Sequence, residues 1–319
     1  MRGRGLLRAE KFFTNKFGLV FAAIMTTFLW GSAFPFIKLS YSELDIRSGE
    51  TAEQLLFAGY RFFLASVLIM IFILITKRKL LFRKETVKPV LKIGFYQTFI
   101  QYVCFYIGLS LSTGIQGSII AGTTSFFQIL FAHFMYKDEG INWRKTVGLI
   151  IGFTGVIIVN LSKGTLQFEF GLGEFFLLLS AMAGALGNLF ARNGSKDMDV
   201  AYLTSYQMLF GSIGLLIAGV MFVGFAPFSF SGKALWMLLY LSFLSAAGFI
   251  LWNNVMKYNP VGKVSMYLFF IPVFGVFLSS LLLGEQMHSY VLLGLLFVTS
   301  GIIIVNRKKE IIKKDGAVQ

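Results

Sequence analysis

The sequence predicts an all-α integral membrane protein with ten transmembrane helices, arranged as two inverted five-helix repeats. Three observations lead to this fold class. The 319 residues are 56% hydrophobic and only 14% charged, with a mean hydropathy of +0.74, whereas soluble domains carry about 25% charged residues. The apolar residues form long runs separated by short charged segments. Finally, part of the first half of the chain aligns with part of the second.

Ten stretches meet the requirement of about 20 mostly apolar residues for a membrane-spanning helix. They are 18–38, 55–76, 90–110, 114–136, 145–161, 172–191, 201–223, 235–256, 263–283 and 289–306. The first stretch follows a basic segment and therefore also resembles a signal peptide. We favour a retained helix, because Trp30, Phe34 and Pro35 stand where a cleavage site would need small residues.

The basic residues predict the orientation, because short cytoplasmic loops retain lysine and arginine. With the N-terminus inside, 24 of the 29 basic residues fall on the cytoplasmic side, including those of the tails 1–17 and 307–319. The outer side has Lys38, Arg47, Lys163 and Lys233. We therefore expect a multi-pass protein of the cell membrane with both termini in the cytoplasm. The net charge of +14 then reflects topology and attraction to anionic lipid, and no nucleic-acid partner is expected.

An internal repeat divides the chain into two units. A shift of 146 residues aligns 130–160 with 276–306 without a gap, and nine of the 31 pairs are identical. Glu139 and Glu285 form one of these pairs. The first repeat is then 18–161 and the second 172–306, with five spans each. Because five is odd, the second repeat enters the membrane the opposite way up, which is the arrangement of many carriers that open a central site to either side in turn.

Several short motifs, in this order, resemble those of the EamA-type transporters of the drug/metabolite transporter superfamily. They are Trp30-Gly31-Ser32-Ala33-Phe34, Tyr60-Arg61-Phe62-Phe63, Gly173-Glu174 and the run from Pro272 to Gly284-Glu285-Gln286. The resemblance covers about 18–306 and implies secondary transport of small metabolites, often export of amino acids or related compounds. It also implies a binding site on spans one, three, four, six, eight and nine.

One departure from the family pattern concerns the fourth span. At the position that matches Pro272, the first repeat has Phe126. Proline is a common cause of helix breaks in membranes. The sequence therefore leaves open whether the fourth helix is broken like the ninth.

Polar residues inside the spans are the first candidates for substrate binding, because such residues usually face a bundle interior or a cavity. Gln97 and Gln101 lie one turn apart in the third span, and Thr124 and Gln128 have the same spacing in the fourth. Each pair is predicted to lie on one helix face. Lining the substrate cavity and hydrogen bonding between helices are both compatible with this spacing.

Four further residues are candidates for the site. Trp30 lies deep in the first span, while Trp252 lies nearer the inner end of the eighth, as a gate or an interface anchor. Asn188 falls at the inner end of the sixth span, where it either lines the cavity or meets water. Arg61 is the only basic residue that lies more than two residues from the end of a predicted span. One interpretation is structural, in which Arg61 snorkels to the surface, caps carbonyls or pairs with Glu53. The other is that it contacts an anionic substrate.

Other functions find less support. The sequence has no GxSxG, HExxH or P-loop motif, so an enzyme is not expected. One cysteine and two histidines give no basis for a metal or cofactor site. A helical channel without alternating access is the alternative to a carrier, although no selectivity-filter sequence is present. A glycine stripe at Gly148, Gly152 and Gly155 allows close helix packing, either within the chain or in a homodimer.

Overall fold

The computed structural model describes residues 9–77, 80–159 and 170–306, which form helices and connecting turns. We number the helices in chain order, after a short helical stretch at 9–14. They are α1 (Lys16–Glu43), α2 (Thr51–Ile75), α3 (Val87–Gly94, the π-helical Phe95–Ile100 and Gln101–Ser110), α4 (Gly114–Ala121 and Thr124–Met135), α5 (Trp143–Val159), α6 (Leu172–Gly194), α7 (Val200–Val223), α8 (Gly232–Tyr258), α9 (Val261–Val264, the 3₁₀ turn Ser265–Phe269 and Phe270–Leu283) and α10 (Ser289–Asn306). The predicted basic tail 307–319 and the loop with Lys163 lie outside the described residues.

Seven of these helices are long and apolar enough to cross a membrane, namely α1, α2, α4, α6, α7, α8 and α9. The others fall short for different reasons. A π-helical segment divides α3. With 17 and 18 residues, α5 and α10 would extend only about 26–27 Å at 1.5 Å per residue, slightly less than the hydrocarbon core of about 30 Å. The all-helical membrane fold is thus confirmed, while the count of ten spans stays a prediction.

The loops that were predicted to be cytoplasmic meet at one end of the bundle, which we call the basic end. There the Thr86 hydroxyl before α3 lies 2.7 Å from the Tyr202 hydroxyl at the start of α7. The Tyr136 hydroxyl after α4 donates to Asn193 Oδ1 near the end of α6 (3.0 Å). These contacts place the predicted inner loops side by side.

The remaining loops meet at the opposite end of the bundle. Ser48, between α1 and α2, donates to the Ser110 carbonyl at the end of α3 (2.9 Å). Glu43, at the end of α1, accepts from Ser231 (2.7 Å) and lies 2.9 Å from Lys233 Nζ at the start of α8. The division of the loops into two groups is therefore the one that the charge pattern predicts.

The fourth helix is broken although it lacks the proline. Its α-helical pattern is interrupted by a turn at Gly122 and Thr123, between its two α-helical parts. Pro272 of α9 packs against Gly122, so a Cβ at residue 122 would lie only 3.1 Å from the proline ring. The interruption in the first repeat thus coincides with a glycine that lets the proline of the second repeat pack closely against it.

The packing of the helices follows the repeat. Helix α1 packs on α8 and α9, and its counterpart α6 packs on α3 and α4. Helices α2 and α7 pack on each other, as do α5 and α10. Exchanging the two halves therefore leaves this set of contacts unchanged, which is the pattern expected of a pseudo-two-fold axis.

The glycine stripe of α5 is used within the chain. A Cβ at Gly155 would lie 2.6 Å from the Gly294 carbonyl oxygen of α10, and one at Gly301 would meet the backbone of Gly148 and Gly152. The two helices approach so closely that a side chain at these positions would collide with backbone. A homodimer stays a prediction, but this stripe is occupied by α10.

The repeated glutamates cap helices of the opposite repeat. Glu139, just after α4, accepts from the Val261 N–H at the start of α9 (3.0 Å). Glu285, just after α9, accepts from the Gly114 and Ile115 N–H groups at the start of α4 (2.7 and 2.8 Å). A carboxylate is well suited to the unpaired N–H groups and positive dipole end of a helix N-terminus. The two repeats are therefore tied together reciprocally, once at each end of the bundle.

Candidate functional site

A cavity lies among α1, α2, α3, α4, α6, α8 and α9, so both repeats contribute to its wall. Its lining residues are apolar and aromatic except for a few polar groups. They are Trp30, Ala33, Phe34, Arg61, Gln101, Tyr102, Phe105, Ala121, Thr124, Leu177, Ser180, Ala181, Asn188, Phe249, Leu268 and Ile271. A mostly apolar wall with a few converging polar groups is typical of small-molecule sites.

Five of the eight residues predicted for the site line this cavity. They are Trp30, Arg61, Gln101, Thr124 and Asn188. The other three, Gln97, Gln128 and Trp252, are fully buried and are not part of the lining. The structure thus brings most of the predicted residues together, while their contact with a substrate stays a prediction.

Two glycines make room for the lining side chains. A Cβ at Gly184 of α6 would lie 2.8 Å from the Gln101 side-chain amide, and one at Gly248 of α8 would lie 2.8 Å from Trp30 Nε1. Gln101 Oε1 and Trp30 Nε1 are buried, and neither has a hydrogen-bond partner among the described residues. Buried polar atoms without partners are uncommon in folded proteins. Both belong to side chains of the cavity wall.

Between the cavity and the basic end lies a set of side chains that we call the amide network. Gln97 Nε2 donates to Asn188 Oδ1 (2.9 Å) and to Asn253 Oδ1 (3.3 Å). Asn188 Nδ2 donates to Gln128 Oε1 (2.9 Å), and Gln128 Nε2 donates to Ser265 Oγ (2.7 Å). These bonds join α3, α4, α6, α8 and α9. For Gln97 and Gln128, the interpretation as hydrogen bonding between helices is therefore the one that fits the structure.

The amide network also corrects the expectation for two residues at the inner ends of spans. Asn188 does not lie at the surface, because it is 4% exposed and hydrogen bonded on both sides. Trp252 is fully buried and lies behind Trp30, with 5.8 Å between the ring centroids. An interface anchor would face the membrane surface, so that interpretation of Trp252 was wrong.

Gln97 and Gln101 share a helix side, as their spacing predicts, but differ in their surroundings. Both pack on α6, against Gly187 and Gly184 respectively. The π-helical segment Phe95–Ile100 contains Gln97 and ends just before Gln101. Such segments are frequent at functional sites. One glutamine consequently enters the amide network and the other the cavity wall.

Arg61 neither pairs with Glu53 nor snorkels to the surface. It is 1% exposed and lies in the bundle interior. Its Nε donates to Ser245 Oγ (2.8 Å) and to the Leu241 carbonyl oxygen (3.2 Å), and its Nη1 donates to the Tyr106 hydroxyl (3.1 Å). The prediction that it caps a carbonyl is correct, whereas the pairing with Glu53 was wrong. These hydrogen bonds to α3 and α8 hold the guanidinium in the bundle interior, so the side chain does not extend to the surface.

Several lining residues were missed by the sequence analysis. Tyr102 directly follows Gln101 in α3, Phe105 lies one turn after it, and Phe249 lies one turn before Trp252 in α8. A search for aromatic residues within one turn of each polar candidate would have found all three. Ser180 of α6 also lines the cavity, and the small residues around it give no comparable signal in the sequence.

Comparison with known proteins agrees with the motifs. The model of the EamA-like transporter family matches residues 17–161 and again residues 171–307. Two relatives in Bacillus subtilis (strain 168) carry the names uncharacterized transporter YoaV and uncharacterized transporter YvbV. YoaV is 25% identical over 88% of this chain and 94% of its own length, and YvbV is 29% identical over 92% and 91%.

A further relative and a solved structure extend this comparison. An uncharacterized transporter of Archaeoglobus fulgidus is 27% identical over 90% of this chain and 96% of its own length. One crystal structure superposes with a TM-score of 0.67 at 14% identity, over 89% of this chain and 94% of that chain. At this identity the superposition shows a shared fold only.

Proposed function

Since this chain belongs to the EamA-like transporter family and is a membrane transporter of small molecules, we propose that it is a secondary transporter that works by alternating access. Its substrate is a small metabolite, such as an amino acid or a related compound, and export is one direction of transport consistent with the family. The observation that carries the proposal is a cavity walled by helices of both repeats.

The contacts between the two repeats support alternating access. The contacts of α1 with α8 and α9 correspond, by the repeat, to those of α6 with α3 and α4, and both sets join the two repeats. If the halves exchange conformations, the contacts that close one end of the bundle form at the other end instead. Ten spans in two inverted repeats are part of this proposal.

Opening of the cavity toward the basic end must break the hydrogen bonds of the amide network. It joins helices from both repeats through Gln97, Gln128, Asn188 and Asn253, and it lies between the cavity and that end. Each interhelical bond of this kind in a membrane is worth about 0.6 kcal/mol on average. A network of several such bonds is therefore strong enough to hold a closed state and weak enough to be reversed.

The orientation is tested by labelling single cysteines at repeat-related positions. Gly140 and Gln286 differ by the repeat shift of 146 residues and are both exposed, in the loops after α4 and α9. In a background in which the buried Cys104 is replaced by alanine, we expect Gly140→Cys to react only from the cytoplasm and Gln286→Cys only from outside. Reaction of both from the same side would contradict the inverted repeat.

The mechanism is tested with purified protein in lipid vesicles. A carrier saturates with substrate concentration and exchanges labelled for unlabelled substrate across the membrane. A channel, the alternative function, passes single-channel currents in a planar bilayer. Saturable exchange without such currents supports the proposal, and currents without saturable exchange would replace it with the channel.

A further inference from the structure

We propose that the substrate is a small organic carboxylate with an apolar body, and that Arg61 binds its carboxylate group in the cavity. This inference rests on the proposed transport function and adds the substrate class. Its starting point is a permanent positive charge in the cavity wall. A guanidinium remains protonated at any physiological pH, and Arg61 is 1% exposed.

The contacts of Arg61 leave its charge without a counter-ion. Its hydrogen-bond partners are a carbonyl and two hydroxyls, on Leu241, Ser245 and Tyr106, and all of them are neutral. Among the described residues, no Asp or Glu lies within ion-pair distance of its guanidinium. Buried charges in proteins are normally paired, and intramembrane arginines usually find a partner in the bundle interior.

The named bonds use only part of the guanidinium. They involve the Nε–H and one hydrogen of Nη1, whereas the group carries five N–H donors. The rings of Phe62 and Tyr102 lie 4.9 and 5.7 Å from its central carbon, and they stabilise the cation only partly. The remaining donors match a carboxylate, which guanidinium groups bind by two parallel hydrogen bonds.

The second repeat shows that the structural bonds of Arg61 do not require a charge. The repeat shift of 146 residues places Gln207 of α7 at the equivalent position. Gln207 is also fully buried, and its Oε1 accepts from the Thr98 hydroxyl of α3 (2.7 Å). Arg61 makes the related bond from α2 to the Ser245 hydroxyl of α8. A neutral amide thus serves as the interhelical tie in one half, so the charge in the other half is available for a ligand.

The rest of the cavity defines the body of the substrate. Trp30, Phe34, Phe105 and Phe249 supply an aromatic wall, which favours an apolar or aromatic group. The Gln101 side chain has an acceptor oxygen without a partner, which suits a hydroxyl or amino group on the substrate. Charge, aromatic wall and acceptor together fit a carboxylate that carries an apolar side group.

The test compares a carboxylate with its neutral amide on the purified full-length chain. Phenylacetate and phenylacetamide, and 3-phenylpropanoate and its amide, are titrated by calorimetry and thermal shift. A charge-assisted hydrogen bond is worth enough to change affinity about tenfold or more, so we expect each acid to bind at least about tenfold more tightly than its amide. Equal affinity, a preference for the amide, or no binding of either acid would overturn the proposal.

Arg61→Gln is the decisive variant, because it gives the first repeat the residue that the second already has. We expect it to bind acid and amide equally. Lys233→Gln is the control, since Lys233 is exposed beside Glu43 and is not part of the cavity lining, and its loss should leave the preference for the acid unchanged. An unchanged preference in Arg61→Gln would overturn the assignment. If that variant does not fold, the comparison of acid and amide in the wild type decides.

Transport by the wild type in vesicles distinguishes failure of this inference from failure of the proposed function. Saturable exchange of a neutral or cationic compound, without carboxylate binding, would refute the inference and leave the transporter intact. Carboxylate binding without any saturable flux would support the inference and contradict the proposed function. It would leave Arg61 as an anion site and refute alternating access.

Discussion

Replacing two glutamines of neighbouring helices by leucine should have opposite consequences. Gln128 of α4 belongs to the amide network, where it accepts from Asn188 and donates to Ser265. Gln101 of α3 lines the cavity, and its Oε1 has no partner among the described residues. The same chemical change therefore removes a structural contact in one case and a group of the cavity wall in the other.

The magnitude follows from what each change leaves behind. In Gln128→Leu, the Asn188 side-chain amide keeps its acceptor bond from Gln97 but loses the partner of its buried Nδ2 group. An unsatisfied buried polar group costs about 1–3 kcal/mol. Ser265 still donates to the Val261 carbonyl oxygen (2.8 Å), so its contribution is small. We expect Gln128→Leu to lower the free energy of unfolding by about 1–3 kcal/mol.

In Gln101→Leu, the replaced Oε1 has no hydrogen-bond partner to lose among the described residues, so the free energy of unfolding should change less than in Gln128→Leu, by about 1 kcal/mol or less. If Gln101 contacts substrate, the affinity for substrate should fall about tenfold to a hundredfold. Transport by Gln128→Leu, normalised to folded protein, should not fall, because a weaker network at the basic end opens more easily.

The assay combines thermal unfolding in detergent with transport in vesicles, normalised to folded protein. Each variant is the control of the other. The reasoning fails if Gln128→Leu melts like the wild type while its transport falls. It also fails if Gln101→Leu melts several degrees lower while its transport stays normal, since Gln101 would then be a structural residue.

Two further changes test the contacts between the repeats. Glu285→Ala should destabilise the chain by about 1–2 kcal/mol and Glu139→Ala by about 1 kcal/mol. The difference arises because Glu285 accepts from two backbone N–H groups and Glu139 from one. Equal melting temperatures for the wild type and both variants would contradict the caps. Gly301→Leu should cost about 1–3 kcal/mol or more, since its side chain would meet the backbone of α5. Gly140→Ala, with open space around it, is the matched control, and similar unfolding of the two glycine variants would refute the close packing.

Much of the fold could be predicted because hydropathy and helix caps are local properties. The predicted span 201–223 nearly coincides with Val200–Val223, whose start is fixed by the N-cap Asp199. The first span was predicted to end at 38, but the helix continues to Glu43. The sequence becomes less apolar before the helix ends, so hydropathy alone placed the end too early. The helix continues because Ser40 donates to a carbonyl of its own helix and Glu43 accepts from Ser231.

The break in α4 and the course of α3 could not be predicted in the same way. Both depend on contacts between distant segments. The helix α4 is interrupted at Gly122, where Pro272 packs against it, and the π-helical Phe95–Ile100 carries no sequence signal that distinguishes it from an ordinary helix. Proline alone was therefore an insufficient guide to which helices are broken.

The candidate site was predicted only in part, for a related reason. A polar residue in a span satisfies its hydrogen bonds either with a ligand or with another helix, and the sequence does not tell which. Gln97 and Gln101 illustrate this, because they lie one turn apart and pack on the same helix, yet one belongs to the amide network and the other to the cavity wall. The choice depends on Asn188 and Asn253, which are distant in sequence.

Comparison of the two repeats distinguishes residues that join the repeats from residues of the cavity. Where the two halves are identical, as at Glu139 and Glu285, the side chains tie the repeats to each other. One position at which the halves differ lies at the cavity, since Arg61 lines it and its counterpart Gln207 does not. An exchange of conformations between the halves needs the identical positions, because both states must close by similar contacts. Recognition of a substrate needs no symmetry, because one molecule binds at a time. A charge present in one half only is therefore better explained by the ligand than by the conformational exchange, and it is the reason to begin the search for the substrate at Arg61.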